Sequence, residues 1–485
     1  MIGGGFAGMT TASLLAQKGY QVQLLEKNNQ IGGRARTWSS EGFTFDMGPS
    51  WYWMPEVFEN FYQKFGYKTA DFYDLVRLNP SYRVYFTKTE FVDIPSDMPS
   101  LENLFESIEL GAGLKLREFL KQAEYKYRVG MQDYVYRPSH SITEFIDLRL
   151  IREAFKIQIL KSQRSHVRKF FQNPKLISIL EFPVLFLGGT AQNIPALYSM
   201  MNFADLSLGT WYPLGGMNKI VQAMERICRE QGVDIRLDTE VLKLKVENRE
   251  IHTLETTKGN FSADFIISGA DYEHTDQELV PPGLNNYNQK YWDQRVMSPS
   301  SLLFYLGINK KIEGINHHTL FFDESLDLHS EEIFTSPQWP SKPLFYACCS
   351  SVTDTQVAPP GMENLFLLMP IAAGLEDKEE IREKYFTVLL DRLESVLGQE
   401  VRSHIIVKRS YAVKDFVEDY HSFKGNAYGL ANTLGQTAFL KPKMRSKKIR
   451  NLLYTGQLTV PGPGVPPSII SGEIAASEAH KFLTY

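Results

Sequence analysis

Gly3, Gly5 and Gly8 open the chain with the spacing that a pyrophosphate-binding turn requires. One glycine permits the tight turn, one lets backbone approach the phosphates, and one lets the following helix pack on its strand. Phe6 and Ala7 begin that helix, whose N-terminus offers an anion roughly half a positive elementary charge. Glu26 closes the next strand, with Lys27 beside it, at the distance where a carboxylate accepts both hydroxyls of an adenosine ribose. A glycine triplet alone is equally an ordinary glycine-rich loop. Glu26 at this distance makes dinucleotide binding the better reading.

Two glycines and a cation follow in Ile31-Gly32-Gly33-Arg34-Ala35, a second close backbone approach with a charge for the pyrophosphate. Then come Phe45-Asp46-Met47-Gly48-Pro49 and Ser50. Together these resemble the GGR and D-x-G-P signatures of the flavoprotein superfamily that holds amine oxidases, protoporphyrinogen oxidase and carotenoid desaturases. The resemblance implies FAD rather than NAD, with Gly33, Arg34, Gly48, Pro49 and Ser50 joining the first turn and Glu26 in the site. It extends to Leu453-Tyr454-Thr455-Gly456-Gln457, which is similar to the element that grips the flavin ribityl chain. Many members carry an acid where Gln457 stands, so an amide would take that role here. Val241 matches the position whose backbone reads the adenine edge. Gly464, Val465 and Pro466 open a final helix that the resemblance aims at the isoalloxazine, where a positive helix end stabilises charge on a reduced flavin.

The likeness narrows further. Gly42–Pro55, Trp211–Met217, Ala263–Asp271, Ala358–Gly361, Gly425–Gly429, Gln436–Phe439 and Gly456–Val465 resemble, in order, the bacterial type of carotenoid (phytoene) desaturase, particularly flavobacterial versions. The resemblance implies loss of two hydrogens from adjacent saturated carbons, with hydride passing to the flavin. We expect a phytoene desaturase working towards lycopene. A hydroxycarotenoid 3,4-desaturase, a thirty-carbon diapophytoene desaturase and, more remotely, a flavin amine oxidase are the alternatives. A prenyl-lipid escort without flavin is opposed by the intact glycine turn, Glu26 and Arg34. Trp51 and Trp53 are candidate substrate-lining residues, although core packing explains them almost as well. The catalytic base is unassigned, because a delocalised polyene cation needs no strong base. The resemblance allows Glu144, between Ser141 and Arg149, among the polar residues such enzymes keep near the substrate, and a solvated helix face is an equal reading. Such a reaction needs no metal or nucleophile, and no H-E-x-x-H, C-x-x-C or G-x-S-x-G is present. His317-His318 comes nearest to a metal motif. Adjacent strand residues face opposite ways, so we read surface or satisfied histidines and expect no metal.

These residues need elements to position them. The periodicity predicts a helix over Phe6–Lys18, a strand over Tyr20–Leu25, and an aromatic loop-and-turn segment over Phe43–Trp53. Tyr82–Phe86 and Phe91–Ile94 read as a hairpin, and Leu101–Val135 and Ser141–Ile179 as long amphipathic stretches. A helix over Met217–Arg229 precedes strands near 233–237, 241–246, 251–256 and 265–268. Further strands near 301–307, 344–349 and 364–369 precede a helix over Glu379–Leu397, and Asn451–Tyr454 precedes the final helix from about Pro466. The order implies an α/β fold: a discontinuous Rossmann-like FAD-binding domain, a mixed α+β substrate domain and a helical membrane-facing region. We assign residues 1–75, 205–285 and 450–485 to the first, and 76–204 with 286–449 to substrate and membrane. Only Met1 and Ile2 precede Gly3, so we expect the native chain to begin earlier and its added strand to tighten flavin retention.

Composition sets the setting. A formal net charge of -4 leaves no footprint of nucleic-acid binding. Three cysteines without a C-x-x-C pair read as reduced packing residues. No apolar run reaches the ~18 residues of a spanning helix. Yet a forty-carbon hydrocarbon would cost on the order of 30 kcal/mol to expose to water, so the enzyme must meet its carotenoid at a membrane surface. The basic stretch Arg149–Lys175, with eight cations and Glu153 alone among acids, reads as a surface for anionic lipid. We expect a cytoplasmic protein, peripheral on the inner face of the cell membrane, with a quinone or oxygen as electron acceptor.

Overall fold

The computed structural model describes residues 1–141, 144, 158 and 161–484. A parallel array carries the glycine turn. Gln23–Leu25 pairs with Asp234–Arg236, and Ile266–Ser268 pairs with Leu452–Tyr454. Ile2 fills the place between them, bridging Leu25 on one side and Ser268 on the other. Its N–H donates to Ile267 O at 2.9 Å, and Gly269 N donates back to Ile2 O at 2.7 Å. The strand expected over Tyr20–Leu25 contracts to Gln23–Leu25, since Gly19 at φ +91° and the turn behind it consume the first residues.

The Phe6–Gln17 helix lies on this array and packs against the C-terminal helix, Val465–Thr484. The approach is close: a Cβ on Gly472 would stand 2.6 Å from Ala7 O, and Thr11 Oγ1 donates to Gly472 O at 3.1 Å.

The second layer is a seven-stranded sheet in the order Ile405–Tyr411, Ser300–Ile308, Glu363–Ile371, Phe345–Cys348, His318–Phe321, Tyr82–Tyr85, Phe91–Ile94. Its pairings are antiparallel except the parallel one between His318–Phe321 and Tyr82–Tyr85. Both faces are covered, and the period of two sorts the side chains. Leu303 and Tyr305 pack beneath the helices Met98–Ile108 and Ala112–Val129, while Leu302, Phe304 and Leu306 pack under Glu379–Leu397. Leu101–Val135 is thus two helices, parted at Gly111 with φ +79°.

Part of the aromatic loop is also regular. Thr37–Ser40 and Phe43–Asp46 form an antiparallel hairpin, and Phe43 and Phe45 enter the core of the seven-stranded sheet. A Cβ on Gly307 would stand 2.7 Å from the Phe43 ring, so this strand needs a glycine opposite the hairpin.

The C-terminal helix is tied down by Glu478, whose carboxylate accepts from His140, Arg445 and Lys481 at 2.7, 2.8 and 3.0 Å. Burial alone would raise this carboxyl; the hydrogen bonds from His140 and Lys481 and the charge of Arg445 outweigh that and hold it at about 2. The depressed value means stability present above the free glutamate range and lost as pH falls towards 2. Glu478→Gln is expected to cost roughly 3 kcal/mol at pH 7 by urea unfolding. The gap to the parent should narrow between about pH 4 and 2, because the parent loses the same charge there.

Candidate functional site

A cavity of about 710 Å³ opens between the two layers. Its wall includes Gly3, Gly5, Phe6, Ala7, Glu26, Lys27, Gly33, Arg34, Gly48, Pro49 and Ser50, and also Val241, Gly456, Gln457, Gly464, Val465 and Pro466. Trp51 and Trp53 line it too. Gly8 stands behind the wall: its Cβ would fall 2.0 Å from Gly3 O, so it allows the helix to seat on the turn.

Local geometry explains the glycines. Gly3 turns at φ +88°, with its missing Cβ 3.1 Å from Ala270 N. Gly5 is the converse: a Cβ there meets no protein atom within 4 Å and would project into open space. Gly48 has no room for a side chain, since a Cβ would lie 2.3 Å from Arg34 O.

Glu26 is buried and braces the turn. Its Oε2 accepts from Gly4 N at 2.7 Å, and its Oε1 accepts from Asn28 N at 2.9 Å. Asn28 Nδ2 also donates to Oε1 at 3.0 Å, which leaves a lone pair on Oε2 for a ligand. Arg34 donates through Nη2 to Ser422 Oγ at 2.9 Å and to Asn426 O at 3.4 Å, while its buried Nε has no partner among the described residues. Burial lowers the guanidinium pKa, and nearby Asp271 and Tyr420 oppose the fall. A buried guanidinium with an unused donor, beside a helix N-terminus and a bare backbone turn, fits an anionic pyrophosphate.

At the far end Gln457 Nε2 donates to Asn426 Oδ1 at 3.2 Å. The last helix begins at Val465, one residue after Gly464 at φ +113°. Pro466 and Pro467 carry no N–H and Ser468 N is bonded to Gly464 O, so Gly464 and Val465 supply the donors at this end.

Sequence reasoning missed several wall residues. Asp271 lines the cavity near Arg34, and burial pushes its carboxyl up to about 6 against the pull of that cation. His274 and His421 stack with centroids 4.0 Å apart where Lys27 Nζ lies 3.0 Å from His421 Nε2. Tyr420 lies under both Arg34 and Arg36, 5.1 Å from each guanidinium carbon. These residues come from two distant segments, one holding Asp271 and His274 and the other Tyr420 and His421. Although Asp271 closes the Ala263–Asp271 stretch, its spacing does not mark it as a wall residue. Asp46, read as part of a signature, instead holds a helix in place. It accepts from Met217 N at 2.8 Å and Asn218 N at 3.2 Å, capping the Asn218–Glu230 helix.

Three expectations change. Glu144 neither faces the cavity nor sits on a solvated helix face; its carboxylate accepts from the backbone N–H groups of Ser139, His140 and Ser141 at 3.0, 2.6 and 3.1 Å and closes that turn. His317 and His318 do not point apart. The strand begins only at His318, so alternation does not govern His317, and the two buried rings meet at 4.5 Å. Burial holds His317 at about 3 and His318 well below the usual imidazole range, so both are neutral. Finally, much of the basic stretch, including Arg149, Arg152, Glu153 and Lys156, lies outside the described residues. Within them Arg164 pairs with Glu181 and Asp327, Arg168 with Glu181, and Lys175 with Glu90, so the local charge excess is partly neutralised.

A parallel array with a glycine turn, a bracing acid and a buried arginine defines a dinucleotide-binding oxidoreductase. The family described as flavin containing amine oxidoreductase matches residues 6–480. A carotenoid 3,4-desaturase from Haloarcula japonica is 40% identical over 98% of this chain and 96% of its own length. A zeta-carotene-forming phytoene desaturase from Myxococcus xanthus is 27% identical over 98% and 92%. A 4,4'-diapophytoene desaturase from Staphylococcus aureus is 27% identical over 99% and 98%. A solved oxidoreductase from Methanosarcina mazei matches with TM-score 0.63 over 97% of this chain and 98% of that one, at 17% identity, a likeness of fold. The chain belongs to the flavin containing amine oxidoreductase family and, within it, to the carotenoid desaturases. It is an FAD-dependent oxidoreductase, and FAD, when bound, would supply its redox chemistry.

Among the described residues no helix is long and apolar enough to cross a membrane.

Proposed function

We propose that this chain is a carotenoid 3,4-desaturase, acting on a hydroxylated carotenoid near one end of its polyene. The observation that carries this is the 40% identity to the Haloarcula enzyme along 98% of the chain, against 27% for the phytoene and diapophytoene desaturases. Phytoene desaturation, the first expectation from the sequence, therefore gives way to its alternative. A cavity feature supports the choice. Asn432 lines the chamber, is buried, and its Oδ1 has no partner among the described residues. The wall also holds the hydroxyls of Tyr198 and Thr437, 3.2 Å apart. A pure hydrocarbon leaves such an acceptor unsatisfied at a cost of about 1–3 kcal/mol, whereas a substrate hydroxyl would satisfy it once the Asn432 side chain turns into the chamber.

The division of labour belongs to the same proposal: residues 1–75, 205–285 and 450–485 bind FAD, and 76–204 with 286–449 bind substrate. The cofactor contacts are those of the glycine turn, Glu26, Lys27, Gly33, Arg34, the Gly48–Ser50 turn, Val241, Gly456, Gln457 and the start of the last helix. The carotenoid is drawn from the cytoplasmic face of the cell membrane, and a quinone takes the electrons. In support of a membrane face, apolar side chains flank wall segments of the cavity: Leu434 and Leu440 bracket Thr437–Phe439, and Tyr136 follows Tyr134 and Val135.

Expression in two hosts tests the reading, one accumulating phytoene and one a 1-hydroxylated carotene lacking the 3,4 double bond. Pigment analysis should find the second extended by one double bond and the first unchanged. Conversion of phytoene alone would overturn the proposal.

A further inference from the structure

Behind the Trp51 wall lies a group of side chains that neither cofactor nor substrate explains. His318 and Cys348 face each other directly across the antiparallel pair His318–Phe321 and Phe345–Cys348. His317 completes the group, and one ligand atom from each of the three lies within 4.8 Å of the others. All three are buried, at 4%, 0% and 7% exposure for His317, His318 and Cys348.

The hydrogen bonds fix which atoms are free. Tyr346 Oη donates to Ser50 Oγ at 3.0 Å and lies 2.6 Å from His318 Nδ1. With the tyrosine proton used on Ser50, Nδ1 of His318 must be the donor, which leaves Nε2 a bare lone pair. His317 Nδ1 lies 2.8 Å from Thr353 Oγ1, a hydroxyl able to donate or accept. Both Nε2 atoms are buried with no hydrogen-bond partner among the described residues. Two orphaned ring nitrogens in a dry interior cost about 1–3 kcal/mol each. A hydroxyl or carbonyl that holds Nδ1 and presents Nε2 is the arrangement by which proteins orient metal-binding imidazoles.

We infer that His317 Nε2, His318 Nε2 and Cys348 Sγ bind a soft or borderline monatomic cation, Cu⁺ or Zn²⁺. Two imidazoles and one sulfur, with no carboxylate among them, select this class over Mg²⁺ or Ca²⁺. Bonds of about 2.0–2.3 Å bring neighbouring ligand atoms to about 3.5 Å, a closure that rotation of the side chains supplies. On binding, the thiol proton is exchanged for the metal–sulfur bond and leaves to solvent, and no redox change occurs at sulfur. The ion would clip the wall of the chamber. His318 stacks on Trp51 with centroids 4.2 Å apart and planes within 7°, and Trp51 and Tyr346 both line the cavity.

The test uses the FAD-loaded enzyme, equilibrated with Zn²⁺, with Co²⁺, or anaerobically with Cu⁺, then freed of loose metal by gel filtration. Plasma mass spectrometry should find about one equivalent of Zn²⁺ or Cu⁺ per chain, the more tightly held ion identifying the native metal. The Co²⁺ form should show a thiolate-to-cobalt charge-transfer band. Cys348→Ser and His318→Gln should each retain at least about tenfold less metal while keeping their flavin spectrum. Cys228→Ser, whose sulfur lies in another core and donates to Met9 O, is the control and should behave as the parent. Parent enzyme that retains none of the three ions overturns the inference, and so does unchanged retention in Cys348→Ser. The parent measurement stands even where a variant fails to fold.

Discussion

Gly5→Val is expected to fold as the parent does and yet leave purification almost free of flavin. The contrast comes from where the missing side chain would go. At Gly5 a Cβ meets no protein atom within 4 Å, and φ is -76°, so the backbone accepts any residue. The space it would fill belongs to the cavity, beside Arg34 and the first turn of the Phe6–Gln17 helix. A branched side chain there keeps the pyrophosphate off the backbone N–H groups, and retention should fall at least about a thousandfold, or roughly 4 kcal/mol. Gly8→Val tests the opposite geometry. Its Cβ would stand 2.0 Å from Gly3 O, so the helix must leave the turn, and both unfolding midpoint and flavin content should drop. Gly435→Ala, with open space and ordinary φ, should change neither. Flavin-to-protein absorbance ratios and thermal unfolding of the apo-proteins read the three apart. A Gly5→Val enzyme that holds stoichiometric flavin would remove the glycine turn from the cofactor site.

The same contrast shows why so much of this site was legible in the sequence. A turn that needs positive φ, backbone against a phosphate, or backbone packed on backbone admits almost nothing but glycine, so structure and residue type coincide at Gly3, Gly5 and Gly48. Strong hydrophobic runs likewise located Ser300–Ile308 and Glu363–Ile371, because both faces of that sheet are buried. What sequence could not give depended on tertiary partners. Ile405–Tyr411 alternates weakly at a sheet edge, and Thr37–Ser40 with Phe43–Asp46 looks like turn because Gly42 and Gly48 punctuate it. The cations of the Arg149–Lys175 stretch read as a free basic surface until Glu181, Asp327 and Glu90, distant in sequence, arrived beside Arg164, Arg168 and Lys175. The histidine pair departs from alternation because only His318 belongs to the strand. Starting the strand at His318 rather than His317 turns both rings inward. Asp271 and His274, from one segment, and Tyr420, from another, meet in the cofactor region, and single-chain spacing carries no signal for such convergence.

Leu434→Glu with Leu440→Glu is expected to separate catalysis from access to the membrane. Each leucine is 44% exposed, and together they bracket Thr437–Phe439, whose side of the chain lines the cavity. Burial of a full leucine side chain is worth about 1.5–3 kcal/mol, so inserting the exposed part of each gives roughly 1 kcal/mol. A carboxylate in its place removes that gain and adds repulsion from an anionic leaflet. The two sites should together weaken vesicle binding by about a hundredfold, or roughly 2.8 kcal/mol. Sedimentation with vesicles containing phosphatidylglycerol measures that loss. Substrate presented in detergent micelles should be turned over at nearly the parental rate, because neither leucine is among the residues that line the cavity. Turnover of vesicle-bound carotenoid should fall with binding. Should the double variant sediment like the parent, this face is not the docking surface, and the carotenoid enters from elsewhere on the molecule.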